Sequence, residues 1–202
     1  MNQSEFSNHE IEEILKSCKV KYHQVTDPSA GAAELLSDGK VIAWFQGRME
    51  FGLRALGNRS ILADPRHISM KDKVNLLVKK REAWRPFAPS VLEEAIPLYF
   101  DPVYHGQHIT VSVIAKENIR DKIPAAIHID GTARIQPVSK EKNEKYYALI
   151  KEFLRLTGVP VILNTSFNVR SNPVACTPID ALKNFYTSGL EALVIGDFVV
   201  LK

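Results

Sequence analysis

Three arginines and three glycines crowd the segment 47–60, whose sequence is GRMEFGLRALGNRS. Glycine lets the backbone approach a ligand closely, and the guanidinium groups of Arg48, Arg54 and Arg59 can each hold a phosphate or carboxylate through paired hydrogen bonds. Glu50 can orient one of these arginines by pairing with it. The pattern favours an anion-binding loop, with an exposed loop held by arginine–glutamate pairs as the alternative.

A second basic cluster lies in the segment 78–90, VKKREAWRPFAPS. Lys79 and Arg85 converge on one ligand if the preceding helix ends near Glu82. Arg85 stands between two aromatic residues and beside a proline, so we expect it to serve a ligand. For Lys80 we prefer a solvated basic helix end, which the helix dipole stabilises.

Short hydrogen-bonding side chains follow a predicted buried strand at 159–163. Asn164, Ser166 and Asn168 come directly after this strand, and Arg170 closes the segment. Open α/β sheets place ligands at the carboxyl ends of their strands, so these four residues are candidate ligand-binding residues. An Asx or Ser/Thr turn with only capping duties is the alternative.

A fourth segment, HIDGTAR at 128–134, adds Arg134 and His128. A lone histidine is more often a hydrogen-bonded structural residue, so a catalytic His128 is the less favoured interpretation. The candidate side chains in these four segments are mostly hydrogen-bond donors, namely Arg, Lys, Ser and Asn. They include no compelling pair of carboxylates and no Ser-His-Asp set. Such a site binds and polarises phosphate electrostatically. We predict no metal site built from side chains.

Composition places the chain among ordinary globular proteins. It has 202 residues, is 45% hydrophobic and 24% charged, and carries a net charge of +3. Residues 48–85 hold ten basic and four acidic side chains, a local excess of +6 that suggests an anionic ligand. No apolar run reaches the ~18–20 residues of a membrane span, no secretory leader is visible, and the two cysteines form no CxxC motif. We expect a cytoplasmic protein with reduced thiols.

Predicted helices and strands alternate irregularly along the chain. Helices are expected at 8–18, 28–38, 69–80, 143–156 and 177–188. Strands are expected at 40–45, 60–63, 87–91, 108–115, 126–129, 134–138, 159–163, 192–195 and 198–201. Hairpins are expected around residues 130–131 and 196–197, and neither GxGxxG nor GxxxxGK[ST] is present. The prediction is a mixed α/β (α+β) domain whose twisted sheet contains antiparallel pairs and is flanked by helices.

Four motifs, WFQGRMEFGLRALGNRSILADPR, RPFAPS, HIDGTAR and LNTSFNVR, resemble the C-terminal domain of the carbamoyltransferases typified by nodulation protein U and the antibiotic O-carbamoyltransferases. The resemblance runs from about Ser7 to Lys202. It implies a YrdC-like fold over residues 21–202, after an N-terminal helix and linker at 1–20. Two positions depart from the family pattern: Leu53 stands where proline is usual, and Ser171-Asn172 where Gly-Glu is usual.

The resemblance also implies a reaction. Such domains take carbamoyl phosphate and ATP, with Mg²⁺, and make a carbamoyl-adenylate. An actin-like N-terminal domain, here missing or a separate subunit, then passes the carbamoyl group to an alcohol acceptor. By motif, Arg54, Lys79, Arg85 and Arg134 correspond to the phosphate and carbamoyl ligands. By the same matching, Asn164, Ser166 and Asn168 correspond to the Ser/Asn nucleotide motif of YrdC-like sites.

Three other interpretations stay open. The +6 segment suits a YrdC-like module that binds structured RNA without turnover, and salt-dependent, ATP-insensitive RNA binding would favour it. A threonylcarbamoyl-adenylate synthase is the rival enzyme, although the long motifs fit the carbamoyltransferases better. A folded remnant without turnover is the third.

Overall fold

One mixed sheet organises the protein in the computed structural model, which describes residues 5–52, 54–101, 112–169 and 172–202. The strands are β1 His23–Gln24, β2 Ile42–Phe45, β3 Arg59–Ala63, β4 Ala88–Leu92, β5 Val113–Ile114, β6 Thr132–Ala133, β7 Gln136–Val138, β8 Val161–Ser166, β9 Ala192–Ile195 and β10 Phe198–Leu201. Eight of them form a sheet in the order β1-β10-β9-β2-β3-β8-β4-β7, and β5 pairs with β6. Within the large sheet, β2–β9 and β4–β7 are parallel and the other neighbours are antiparallel.

The helices are bounded by local signals that the sequence makes visible. They are α1 Asn8–Ser17, α2 Pro28–Ser37, α3 Ser69–Lys73, α4 Ile96–Tyr99, α5 Glu117–Arg120, α6 Glu144–Thr157 and α7 Pro178–Tyr186. Ser7 and Thr177 each form a capping box, and the Asp27 side chain accepts from the first N–H groups of α2. Gly158 ends α6 in the left-handed conformation. These features confirm the helix predictions at 8–18, 28–38, 143–156 and 177–188.

The core lies on the central strands and the two helices that pack together over them, α2 and α6. Every residue of β2 and β3 is buried. Trp44, in β2, donates from its indole nitrogen to the Gly57 carbonyl oxygen at 2.8 Å, which ties the glycine-rich loop to the sheet. The loop that carries three candidate arginines is therefore anchored to the core at its carboxyl end.

The turn predicted at residues 130–131 is present, but the strands predicted on either side of it do not pair with each other. Ala126 and Ile127 donate their N–H groups to Ile123 and Pro124 within a local 3₁₀ turn, so residues 126–129 form no strand. The short β6 pairs with β5, and β7 joins the large sheet in parallel with β4. Half of the predicted strand at 108–115 lies outside the described residues, and its described half contains β5.

No helix in residues 5–52, 54–101, 112–169 or 172–202 combines the length and apolar character that crossing a membrane requires. The same ranges contain no group of three or more His, Cys, Asp or Glu side chains that could hold a metal ion.

Candidate functional site

The basic helix expected at 69–80 changes character halfway along. After α3, residues Val74–Lys79 form a π-helical segment, and Lys80 ends it in the left-handed conformation with φ 49°. The wider π turn shifts the phase of the side chains. Lys79 is consequently only 6% exposed, while the neighbouring Lys80 lies in solvent.

Buried Lys79 closes the loop that follows β8. Its Nζ contacts the backbone oxygens of Ser166 and Asn168, both at 2.9 Å, and the side-chain oxygens Asn168 Oδ1 at 2.6 Å and Ser166 Oγ at 3.3 Å. Ser166 Oγ also donates to Asn168 Oδ1 at 2.7 Å. Three residues that the sequence placed in two separate clusters thus form one hydrogen-bonded unit.

The environment of Lys79 makes its charge adjustable near neutral pH. Burial, reinforced by repulsion from Arg81, lowers the pKa of the Lys79 ammonium to about 7. Its hydrogen-bond partners in the described residues are neutral oxygens rather than carboxylates. An anion arriving beside Lys79 would favour the protonated form.

Arg81 is the functional candidate that the sequence analysis passed over. Its Nε donates to Asn75 Oδ1 at 2.6 Å, and its guanidinium carbon lies 4.9 Å from the centre of the Phe87 ring. Neither of its terminal nitrogens donates a hydrogen bond to a described residue. Burial and repulsion from Arg85 lower its pKa. The Arg81 side chain is thus oriented through Nε, while its two terminal nitrogens have no acceptor among the described residues.

Asn75 shapes the loop that carries Arg81 and Arg85. This fully buried residue donates through Nδ2 to the carbonyl oxygens of Ala83 at 3.0 Å and Arg85 at 2.9 Å. Its own backbone oxygen accepts from the Arg81 N–H at 3.0 Å. The fold of residues 81–85 therefore depends on one amide side chain.

Replacing Asn75 with alanine should lower the free energy of unfolding by about 3 kcal/mol, since two backbone oxygens and the Arg81 Nε lose their partner. Urea unfolding measures the change. Asn184→Ala is the matched control, because Asn184 is also buried but its side chain makes no hydrogen bond with a described residue. Equal losses in the two variants would contradict the role given to Asn75.

Two adjoining cavities meet at Arg81 and Ser166. The larger, which we call the basic cleft, has a volume of about 610 Å³ and is lined by Leu76, Lys79, Lys80, Arg81, Glu82, Arg85, Ser166 and Asn168. The smaller, which we call the side pocket, has a volume of about 140 Å³ and is lined by Arg54, Ala55, Arg81, Pro86, Phe87, Ala88, Gln136, Asn164, Thr165 and Ser166. Together they form a cationic depression at the carboxyl end of β8.

The cavities bring together most of the candidates from three sequence clusters, namely Arg54, Lys79, Arg85, Asn164, Ser166 and Asn168. Arg85 is half exposed and lies 3.3 Å from the Glu82 carboxylate. Asn164 is buried against Gln136 and Ser90, two residues that the sequence analysis did not single out. The sequence signal that could have identified Ser90 and Gln136 is a polar residue at or beside a predicted strand.

Four other candidates do not line either cavity. Arg48 lies on the surface and pairs with Glu5 at 3.0 Å, and Arg134 is half-buried between β6 and β7. Arg59 is fully buried over the Phe45 ring, at 3.6 Å from its centre, and burial lowers its pKa to about 10. His128 Nδ1 lies 3.0 Å from Thr132 Oγ1, and burial lowers the histidine pKa.

Arg170, Leu53 and Ser171 lie outside the described residues. Within the described part of the 47–60 loop, Glu50 holds backbone groups rather than orienting an arginine side chain. Its carboxylate accepts from the N–H groups of Leu56 at 2.8 Å and Asn58 at 2.7 Å, and from that of Arg59. The backbone donors of a tight loop converge on this carboxylate because they have no strand partner.

Sequence comparison identifies relatives over most of the chain. Residues 33–202 match the family model described as "Carbamoyltransferase C-terminus". A nodulation protein NolNO of Sinorhizobium fredii is 46% identical over 186 residues, which are 91% of this chain and 27% of that protein. An uncharacterised protein of Methanocaldococcus jannaschii is 42% identical over 201 residues, 96% of this chain and 33% of that protein. The chain therefore spans about a quarter to a third of the length of these relatives.

Comparison with solved structures concerns the fold. Full-length HypF, in a phosphate- and nucleotide-bound form, superposes with a TM-score of 0.56 at 17% identity, over 90% of this chain and 22% of HypF. Sua5 of P. abyssi, complexed with L-threonine, superposes with a TM-score of 0.57 at 16% identity, over 84% of this chain and 46% of Sua5. The fold is YrdC-like, which confirms the prediction.

Proposed function

The chain belongs to the carbamoyltransferase C-terminal family, and from this premise we propose that its basic cleft and side pocket bind ATP and carbamoyl phosphate and form a carbamoyl-adenylate. The observation that carries the proposal is the charge around the two cavities. Among the described lining residues, five cationic side chains accompany the one carboxylate of Glu82, namely Arg54, Lys79, Lys80, Arg81 and Arg85. Two phosphorylated substrates at one site require such an excess of positive charge.

The cavity sizes suggest how the substrates divide the site. The triphosphate occupies the basic cleft, which is lined by Lys79 and by Arg81, whose terminal nitrogens donate to no described residue. The smaller carbamoyl group occupies the side pocket beside Arg54. Mg²⁺ enters as part of the Mg·ATP substrate, because Glu82 is the one carboxylate among the described residues of the cleft and it already lies beside Arg85.

The proposed chemistry balances in two steps. Water releases inorganic phosphate from carbamoyl phosphate and leaves carbamate. A carbamate oxygen then attacks the α-phosphorus of ATP, a new P–O bond forms, the bond to the β-phosphate oxygen breaks, and pyrophosphate leaves. Charge builds on the phosphate oxygens during this displacement, so preorganised guanidinium groups lower the barrier without a protein nucleophile.

Transfer to an acceptor alcohol is proposed to need an actin-like domain. The chain corresponds to about a quarter to a third of its relatives, and the family resemblance assigns the transfer step to an actin-like N-terminal domain. We therefore propose that this chain works with such a domain, in cis or as a separate subunit, and performs the activation step.

Exchange of labelled pyrophosphate into ATP tests the proposal on this chain alone. We expect exchange that requires both Mg²⁺ and carbamoyl phosphate. A folded chain that binds neither ATP nor carbamoyl phosphate would overturn the proposal. RNA binding that weakens with salt and ignores ATP would favour a nucleic-acid module instead.

ATP affinity should fall as the pH rises above 7, because Lys79 then loses its proton in the free protein. Bound phosphate raises the Lys79 pKa, so binding between about pH 8 and 9 should take up as much as one proton per ATP. Calorimetry in buffers of different ionisation enthalpy measures this uptake. Lys79→Met should abolish it, and Lys122→Met, at an exposed lysine outside the cleft, should leave it unchanged. Equal uptake in the two variants would contradict the assignment.

A further inference from the structure

The wall of the side pocket contains a network of buried amides. Asn164 Nδ2 lies 3.0 Å from the Ala55 carbonyl oxygen, 2.8 Å from Gln136 Oε1 and 3.2 Å from Ser90 Oγ. Gln136 Nε2 donates to the same Ala55 oxygen at 3.2 Å, and Ser90 Oγ donates to Gln136 Oε1 at 3.0 Å. The Asn164 amide is therefore held from several sides and cannot rotate freely.

This network decides which way the Asn164 amide faces. The Ala55 carbonyl oxygen can only accept, so the nitrogen of Asn164 must point toward it. Asn164 Oδ1 is the other terminal atom of the same planar amide, and it points away from the Ala55 oxygen. It is buried, in a residue only 3% exposed, and accepts no hydrogen bond from any described residue. A buried acceptor without a donor is costly, and it indicates that a ligand donor completes the site.

The surroundings of Asn164 specify that ligand further. The side pocket measures about 140 Å³ and has Arg54 and Arg81 among its lining residues. A matching ligand is small, carries an N–H donor at one end and is anionic at the other. Carbamoyl phosphate and carbamate, each with a planar amino group at one end, meet all three conditions.

We propose that Asn164 Oδ1 accepts a hydrogen bond from the carbamoyl amino group and thereby selects carbamoyl phosphate over acetyl phosphate. This proposal rests on the proposed function. Acetyl phosphate has nearly the same shape and charge, but its methyl group cannot donate. Its binding would leave Oδ1 buried without a partner, and sites built to hydrogen-bond a substrate N–H reject analogues that lack it.

Competition binding of fresh carbamoyl phosphate and acetyl phosphate to the chain tests the proposal. We expect wild type to prefer carbamoyl phosphate by about 10–100-fold, the range of one lost buried hydrogen bond. Asn164→Leu should remove the preference by weakening carbamoyl phosphate alone. A merely structural defect would weaken both ligands together. Asn184→Leu, the same substitution at a buried asparagine that lines neither cavity, is the matched control and should keep the preference.

The outcomes separate the selectivity proposal from the function it rests on. If neither carbamoyl phosphate nor acetyl phosphate binds to the folded wild-type chain, both the proposed function and the selectivity proposal are wrong. If both bind equally to wild type, Asn164 does not select the amino group, although the proposed function stands. The ratio of the wild-type affinities for the two phosphates can be measured without any variant, so the test remains valid even if Asn164→Leu misfolds. Gln136→Leu is the second variant.

Discussion

Replacing Arg81 with alanine should reduce carbamoyl-phosphate-dependent pyrophosphate exchange by about 100-fold. Arg81 lines both cavities, and its terminal nitrogens donate no hydrogen bond within the part of the chain that the structure describes. Two charge-assisted hydrogen bonds contribute about 3 kcal/mol, which corresponds to that factor. The Arg81→Lys variant should recover little, because an ammonium cannot hold the Asn75 side chain and a phosphate in the same planar geometry.

The neighbouring arginines provide graded controls for this experiment. Arg85→Ala should cost only about tenfold, since Arg85 is half exposed and already paired with Glu82. Arg48→Ala should have no effect on exchange, because Arg48 pairs with Glu5 away from the cleft. Retention of full exchange activity by Arg81→Ala would remove Arg81 from the proposed site.

Replacing Gly57 with alanine should destabilise the protein by about 4 kcal/mol. Gly57 has φ 101°, and an added Cβ would overlap the ring of Tyr146. That ring is fully buried in α6 and has no room to move. The left-handed backbone contributes about 1–2 kcal/mol of the loss, and overpacking contributes about 1–3 kcal/mol. Urea unfolding should show this loss in the free energy of unfolding, with an unchanged m-value.

Gly47 offers a matched control on the same loop. It also has a positive φ, 51°, but an added Cβ would meet nothing within 4 Å. Gly47→Ala should therefore cost only about 1 kcal/mol, from backbone strain alone. If the two variants lose the same stability, the contact between Gly57 and Tyr146 does not decide the path of the loop.

Local chemistry made much of the fold predictable. The capping box at Ser7, the Asp27 cap and the left-handed Gly158 each involve residues a few positions apart, so their signals are visible in the sequence. The β9–β10 hairpin is confirmed for the same reason. The strand pairing predicted around residues 130–131 is wrong because a local 3₁₀ turn takes up the N–H groups of Ala126 and Ile127. An alternation pattern does not reveal such a turn.

The site was predictable in kind but not in detail. The basic excess at 48–85 and the polar residues after β8 point to an anion-binding site, and the two regions do meet in the basic cleft. The predicted convergence of Lys79 and Arg85 required a helix that ends near Glu82. The π-helical segment ends at Lys79 instead, and Asn75 then orients Arg81.

The sequence by itself determined the chemistry available to this protein: clustered arginines and lysines, amide and hydroxyl donors after a buried strand, and caps for its helices. Tertiary structure alone decided which of these groups share a cavity. Lys79 meets Ser166 and Asn168 across 87 and 89 positions, and Asn164 meets Ala55 across 109. Caps and turns arise from short-range hydrogen bonds, whereas these contacts follow from how the whole core packs. The same packing placed Arg59 inside the protein and left Arg81 facing the cleft.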